Sequence, residues 1–152
     1  MDRSREYLEM CRSSKYIQDE WTPEEGDYVY VSNNLEIIGY IPEKNRDAVY
    51  TMRNLRYGDK PYNRRSHSMI WVPAQDQLWD LIGNGKKLFP DYGILIDSEK
   101  KAFEFVFFSP SGSALHMVYG STQEQCLLQA YIQLNYRFKW DGVYWTQREG
   151  GK

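Results

Sequence analysis

Residues 121–138 read STQEQCLLQAYIQLNYRF, and this stretch decides the fold class. Leu127, Leu128, Tyr131, Leu134 and Phe138 fall on one stripe at the period of an α-helix. Ser121 and Glu124 have the spacing of a capping box, in which each side chain satisfies a backbone donor left over at the helix start. Just upstream, 93–96, 102–109 and 115–119 are short segments rich in β-branched and aromatic residues. The polar stretches 97–101 and 109–113 separate them as turns. A three-stranded antiparallel meander leading into a helix is the expected arrangement.

Working outward, residues 3–20 carry Tyr7, Met10, Ser14 and Ile17 at helical spacing, and Thr22-Pro23 stops that helix because the residue before proline leaves the helical region. Tyr28-Val29-Tyr30-Val31 is strand-like. With a turn at 32–34 and a returning strand at 35–41 it predicts a hairpin. Residues 48–55 predict a third strand with Val49, Thr51, Arg53 and Leu55 on one face, 57–68 a loop, and 69–72 another short strand. Pro73 opens a helix over 74–82, with Leu78, Leu81 and Ile82 inward and Gly83 as its stop. Asp141-Gly142 makes a turn between Trp140 and the segment 143–145. The expectation is one α+β domain over 1–152: an antiparallel sheet of about six strands, packed by N- and C-terminal helices and one short central helix.

Composition narrows the function classes. The 152 residues hold 19 Lys and Arg against 21 Asp and Glu, a balance that argues against a polycation coating nucleic acid. Aromatics at 16% supply the means to bury a core. No run approaches the ~20 apolar residues of a membrane helix, and the start of the chain lacks the apolar core of a signal peptide. Cys11 and Cys126 read as two buried thiols in a reducing cytosol, so a cytoplasmic protein without membrane contact is expected.

Reactive groups are sparse. The two histidines, His67 and His116, and the two cysteines lack metal-ligand spacing, so neither a metal nor a cofactor is expected. Cys126 near a helix start, with His116 on the preceding strand, would make a nucleophile–base pair, but no local signature supports it. Asp91, Glu99 and Lys101 superficially fit a metal-dependent nuclease or hydrolase. That chemistry needs the second acid and the lysine on one rigid strand, whereas Glu99 and Lys101 fall at a predicted hairpin tip. Residues 83–87 (GNGKK) resemble half a phosphate-binding loop, but they follow a helix instead of preceding one. The five tryptophans lie at or beside element ends, where an indole commonly seals a core edge.

The remaining feature is electrostatic. Residues 46–65 hold six cations against two acids, interleaved with Tyr50, Tyr57 and Tyr62, whereas residues 1–27 hold eight acids against four bases. Guanidinium groups grip phosphates and tyrosines stack on bases, so Arg53, Arg56, Tyr57, Lys60, Tyr62, Arg64 and Arg65 form a candidate contact surface. The same residue types dominate protein interfaces, so an acidic protein partner fits equally, and a merely solvated charge run is the plainer alternative.

The segment 7–21 with Gly26-Asp27, the run Trp71-Val72-Pro73-x-Gln75-Asp76-Gln77-Leu78, and Gln125-x-Leu127-Leu128-x-Ala130-Tyr131 with Trp140-Asp141-Gly142-x-x-Trp145 together resemble a group of small uncharacterised phage and prophage proteins of Gram-positive bacteria. The resemblance implies a phage or integrated-phage origin, a bacterial host cytoplasm and an accessory role; it carries over no site residues. The expected function is therefore non-enzymatic macromolecular binding, to protein or nucleic acid, inhibition of a host defence complex included. The alternatives are a small metal-dependent nuclease or hydrolase, and a scaffold that buries exposed aromatics against copies of itself as a homo-oligomer.

Overall fold

A computed structural model describes residues 1–31, 38–40, 48–51, 56–58, 60, 62–63, 69–84, 91–97, 102–108 and 114–147. They mix α-helix with antiparallel strand, and the chain divides into two compact units: residues 11–73, and residues 1–10 together with 74–152. Helix α1 (Arg5–Ser13) contributes to both, and α2 (Lys15–Glu20) follows it.

In the 11–73 unit, strands β1 (Tyr28–Val31), β2 (Ile38–Tyr40), β3 (Ala48–Thr51), β4 (Tyr62–Asn63) and β5 (Met69–Trp71) form one antiparallel sheet in the order β4-β3-β2-β1-β5. The expected hairpin is present, with Val29 opposite Gly39 and Tyr30 opposite Ile38. The expected loop over 57–68 is not wholly loop. Tyr62 and Asn63 pair with Val49 and Ala48, and the backbone at Arg56 and Tyr57 is helical. Val29 is fully buried, with Trp21 and Met69 packed on it. Trp21 and Trp71 stack nearly parallel at 6.1 Å. Trp21 Nε1 donates to Asp27 Oδ2 at 2.8 Å, and the same oxygen accepts from the Glu24 amide at 2.7 Å.

The helix expected over 3–20 is broken at Ser14, whose φ of -85° and ψ of 89° are not helical. The side chain of Gln18 bridges the break. In a continuous helix the Cys11 carbonyl would take the amide of Lys15. Here it accepts from the Ser14 amide at 3.3 Å and from Gln18 Nε2 at 3.1 Å. The same nitrogen donates to Trp71 O at 3.0 Å, while Gln18 Oε1 accepts from Trp71 N at 2.8 Å. β5 is an edge strand, and one side-chain amide occupies its outer edge as a neighbouring strand would.

In the other unit, β6 (Asp91–Asp97), β7 (Ala102–Phe108) and β8 (Ala114–Gly120) form the expected meander, with a register irregularity between Phe107 and Phe108. Helix α3 (Gln75–Asn84) buries Leu78 and Ile82, as their spacing predicts, and leaves Leu81 half-buried. Each such side chain contributes about 1.5–3 kcal/mol when removed from water. Helix α4 (Gln123–Tyr136) buries Leu127, Leu128 and Ile132 beside Phe105 and Val118 of the sheet. Gly120 permits the tight passage from β8 into α4: a Cβ there would lie 2.6 Å from the Cys126 amide nitrogen.

The cap of α4 sits one residue later than predicted. Thr122, not Ser121, is the N-cap, and its Oγ1 accepts from the Gln125 amide at 3.2 Å. Gln125, not Glu124, reaches back, its Oε1 accepting from Ser121 N at 3.1 Å. Buried Asp2 joins this cap to the start of α1. Its Oδ2 accepts from Thr122 Oγ1 at 2.7 Å and Gln125 Nε2 at 3.1 Å, and its Oδ1 accepts from Ser4 N at 2.7 Å. Ser4 Oγ in turn accepts from the Tyr7 amide at 3.1 Å. A carboxylate thus serves the positive ends of two helix dipoles at once. Helix α4 ends at Arg137, which adopts a left-handed φ of 61°. Phe138 therefore leaves the predicted apolar stripe and opens β9 (Phe138–Trp140), which pairs with β10 (Trp145–Gln147) around the expected Asp141-Gly142 turn.

The single sheet of about six strands is thus corrected, among the described residues, to sheets of five, three and two strands. Among the described residues the meander strands pair only with each other, and β5, where a sixth neighbour would add, is closed by Gln18.

Candidate functional site

Of the basic segment, Arg56, Tyr57 and Lys60 are exposed, Tyr57 to 69%, and Tyr62 lies in β4. Arg53, Arg64 and Arg65 lie outside the described residues. The exposure of Tyr57 matters because a tyrosine with no core to fill keeps its ring face available for stacking. Gly58, at φ 70°, turns the chain immediately after it.

The nucleophile candidate does not survive. Cys126 is fully buried, its Sγ donates to Val118 O at 3.4 Å, and burial, reinforced by the nearby Glu104 charge against a smaller opposing effect of the Phe105 backbone, pushes the thiol up to about 12. A thiol so placed stays protonated and inert. Cys11 is equally buried, and neither cysteine is in a disulfide. The backbone of His116 pairs with Phe107 in the meander. Asp91 stands at the far end of β6 from Asp97, about 20 Å away at ~3.4 Å per residue, and Glu99 and Lys101 lie outside the described residues. Gly83, expected as the stop of its helix, lies inside the last turn of α3, which continues to Asn84, and 85–87 lie outside the described residues. Among the described residues no group of three His, Cys, Asp or Glu side chains converges in a way that could hold a metal.

A different site emerges beside α4, within the unit formed by 1–10 and 74–152. An open groove of about 430 Å³ runs along the helix, bounded by the end of β8, by α1 at Glu6, and by the β9–β10 hairpin at Lys139 and Trp140. Its volume falls in the range typical of small-ligand sites, about 300–1,000 Å³. Gln125, Gln129 and Gln133 line it at four-residue spacing, so their amides succeed one another about every 6 Å along one helix face.

The three amides differ in employment. Gln125 is 3% exposed and saturated by Asp2, Ser4 and Ser121. Gln129 Nε2 donates to the Tyr119 carbonyl on β8. The half-buried side chain of Gln133 makes no hydrogen bond with the described residues. Trp140 is held from two directions: its Nε1 donates to Glu6 Oε1 at 3.4 Å, and Trp145 packs on it at 5.3 Å, tilted by 58°. Trp145 is itself anchored through Nε1 to Met10 O at 3.0 Å. The hairpin tip is equally defined. Asp141 Oδ1 accepts from the amides of Val143 (2.9 Å) and Tyr144 (2.8 Å), and these bonds, Tyr144's first, hold its carboxyl below the usual range.

Sequence reasoning did not single out this groove. The signal was available as glutamines at positions i, i+4 and i+8 on a helix whose remaining faces are apolar. The other tryptophans keep to the core-edge role, Trp79 resting on Phe105 at 5.9 Å and Trp21 on Trp71. No protein-family model, curated protein or solved structure matches the chain. No helix among the described residues is long and apolar enough to cross a membrane.

Proposed function

We propose that the chain is a non-enzymatic accessory protein that acts by binding a macromolecule through its basic, tyrosine-containing segment, with nucleic acid as the first partner class to test. The observation that supports this most is the exposure of Tyr57 between the exposed cations Arg56 and Lys60. A ring free to stack, flanked by groups that attract phosphate, matches the way single strands are bound without sequence readout. Burial of the Cys126 thiol adds support, because it weighs against a thiolate nucleophile. The phage setting rests on the sequence resemblance alone.

The test is binding of the full chain to single-stranded DNA, RNA and duplex DNA across a salt series. Affinity is expected to fall as salt rises. Replacing Arg56 and Lys60 together by alanine should reduce the slope of log K against log salt by about 2, roughly one per cation. Tyr57→Ala should weaken single-strand binding by about 1–3 kcal/mol. Absence of any nucleic-acid affinity would move the reading to an acidic protein partner. Such a partner, inhibition of a host defence complex included, would be recognised by loss of capture in the same variants.

A further inference from the structure

We propose that the groove along α4 is a binding site for a neutral saccharide, with Trp140 supplying a ring surface and Gln133, Lys139 and Glu6 supplying hydrogen bonds to hydroxyl groups. The inference is separate from the basic segment and uses none of its residues.

Charge comes first. Among the described residues that line it, the groove has one cation, Lys139, and one anion, Glu6, a set that favours neither a polyanion nor a polycation. Its polar inventory suits hydroxyls, which both donate and accept. The Gln133 amide offers two donors and an acceptor with no partner among the described residues. Lys139 forms no ion pair with them, and the Glu6 carboxylate keeps acceptor capacity beyond its bond to the indole.

Shape and order point the same way. Trp140 is fixed by Glu6 and Trp145, so its ring is oriented before any ligand arrives and little freedom is lost on binding. A sugar presents a flat C–H face suited to an indole and a rim of hydroxyls suited to amides. The competing occupant, an extended peptide adding to the edge strand β8, meets a strand whose Tyr119 carbonyl is already taken by Gln129. What the groove offers is therefore side-chain amides and a ring, not a strand edge.

The experiment uses the full isotope-labelled chain titrated separately with glucose, maltotriose, cellotriose and diacetylchitobiose. It follows the Gln133 side-chain amide and the Trp140 indole N–H by NMR, together with tryptophan fluorescence. At least one sugar should shift both resonances saturably, with an affinity independent of salt because no counterions are released. Gln133→Ala should weaken that binding about tenfold, the loss of one or two hydrogen bonds, while leaving the thermal midpoint unchanged. Arg56→Ala should leave sugar binding untouched even where it abolishes nucleic-acid binding, so the two readings fail independently. The proposal is overturned if no sugar perturbs either resonance at tens of millimolar, if the shifts map elsewhere, or if Gln133→Ala binds with undiminished affinity.

Discussion

Gln18 in the 11–73 unit and Gln133 in the other carry the same side chain, each half-buried on a helix. Gln18 places both ends of its amide on the backbone of Trp71 and a further bond on Cys11, closing the edge of the five-stranded sheet. Gln133 lines the groove with its amide idle. The difference teaches how to read a half-buried glutamine. Saturated by main chain, it is architecture, and removing it leaves a donor and an acceptor stranded. Unsaturated beside an ordered ring, it is capacity held for something else.

The strongest way to break that contrast is Gln18→Ala. The substitution deprives Trp71 of partners for both its amide and its carbonyl, and should cost about 2–4 kcal/mol in urea unfolding. A loss below about 1 kcal/mol would mean that solvent replaces the amide and that the edge is not closed by it. Chevron analysis would add that the unfolding arm, more than the folding arm, absorbs the change if the clamp forms late.

An intermediate test concerns the interior behind the groove. The folded-state value of Cys126 is raised from its ordinary 9.0 to about 12, so the native state holds its proton more tightly than the unfolded chain does. The stability this provides is fully present below pH 9 and is lost as pH climbs towards about 12. Cys126→Ser or Cys126→Ala should flatten that alkaline decline in a pH series of thermal midpoints. In the native wild-type chain both thiols should resist a thiol-blocking reagent and react only after denaturant is added.

The smallest expected effect sharpens the contrast from the other side. Gln133→Ala should change stability by no more than about 0.5 kcal/mol, as for a surface substitution that breaks no native bond. Equal losses for the Gln18 and Gln133 variants in one denaturant series would erase the distinction between the two side chains.

How much of this was legible in the residues depends on range. Tyr28-Val29-Tyr30-Val31 announced β1 through local composition, and the apolar spacing of 127–134 announced α4. Two neighbouring hydroxyls followed by an acid and an amide hid the true cap: Ser121 and Glu124 fit the pattern as well as Thr122 and Gln125 do, and the choice was made by Asp2, 120 residues away. The break at Ser14 was equally hidden: a serine inside an amphipathic run gives no warning of it, or of the bond from Gln18 to Trp71. Phe138 kept helical spacing with the residues before it, and the left-handed turn at Arg137 came without the glycine that usually signals one. The basic segment was legible as charge. In the groove, the glutamine spacing was in plain view, but which amide would be spoken for depended on Asp2, Ser4 and Tyr119, whose approach no local pattern encodes.

The carboxylate of Asp2 has a consequence for how the protein is made. Its partners Thr122 and Gln125 leave the ribosome only after more than a hundred further residues. Until then its charge has only local company, Ser4 among it. Closing so long a loop is entropically slow, and contacts of this separation lower folding rates. The segment around Asp2 should therefore stay unanchored in the nascent chain until Thr122 and Gln125 have been made.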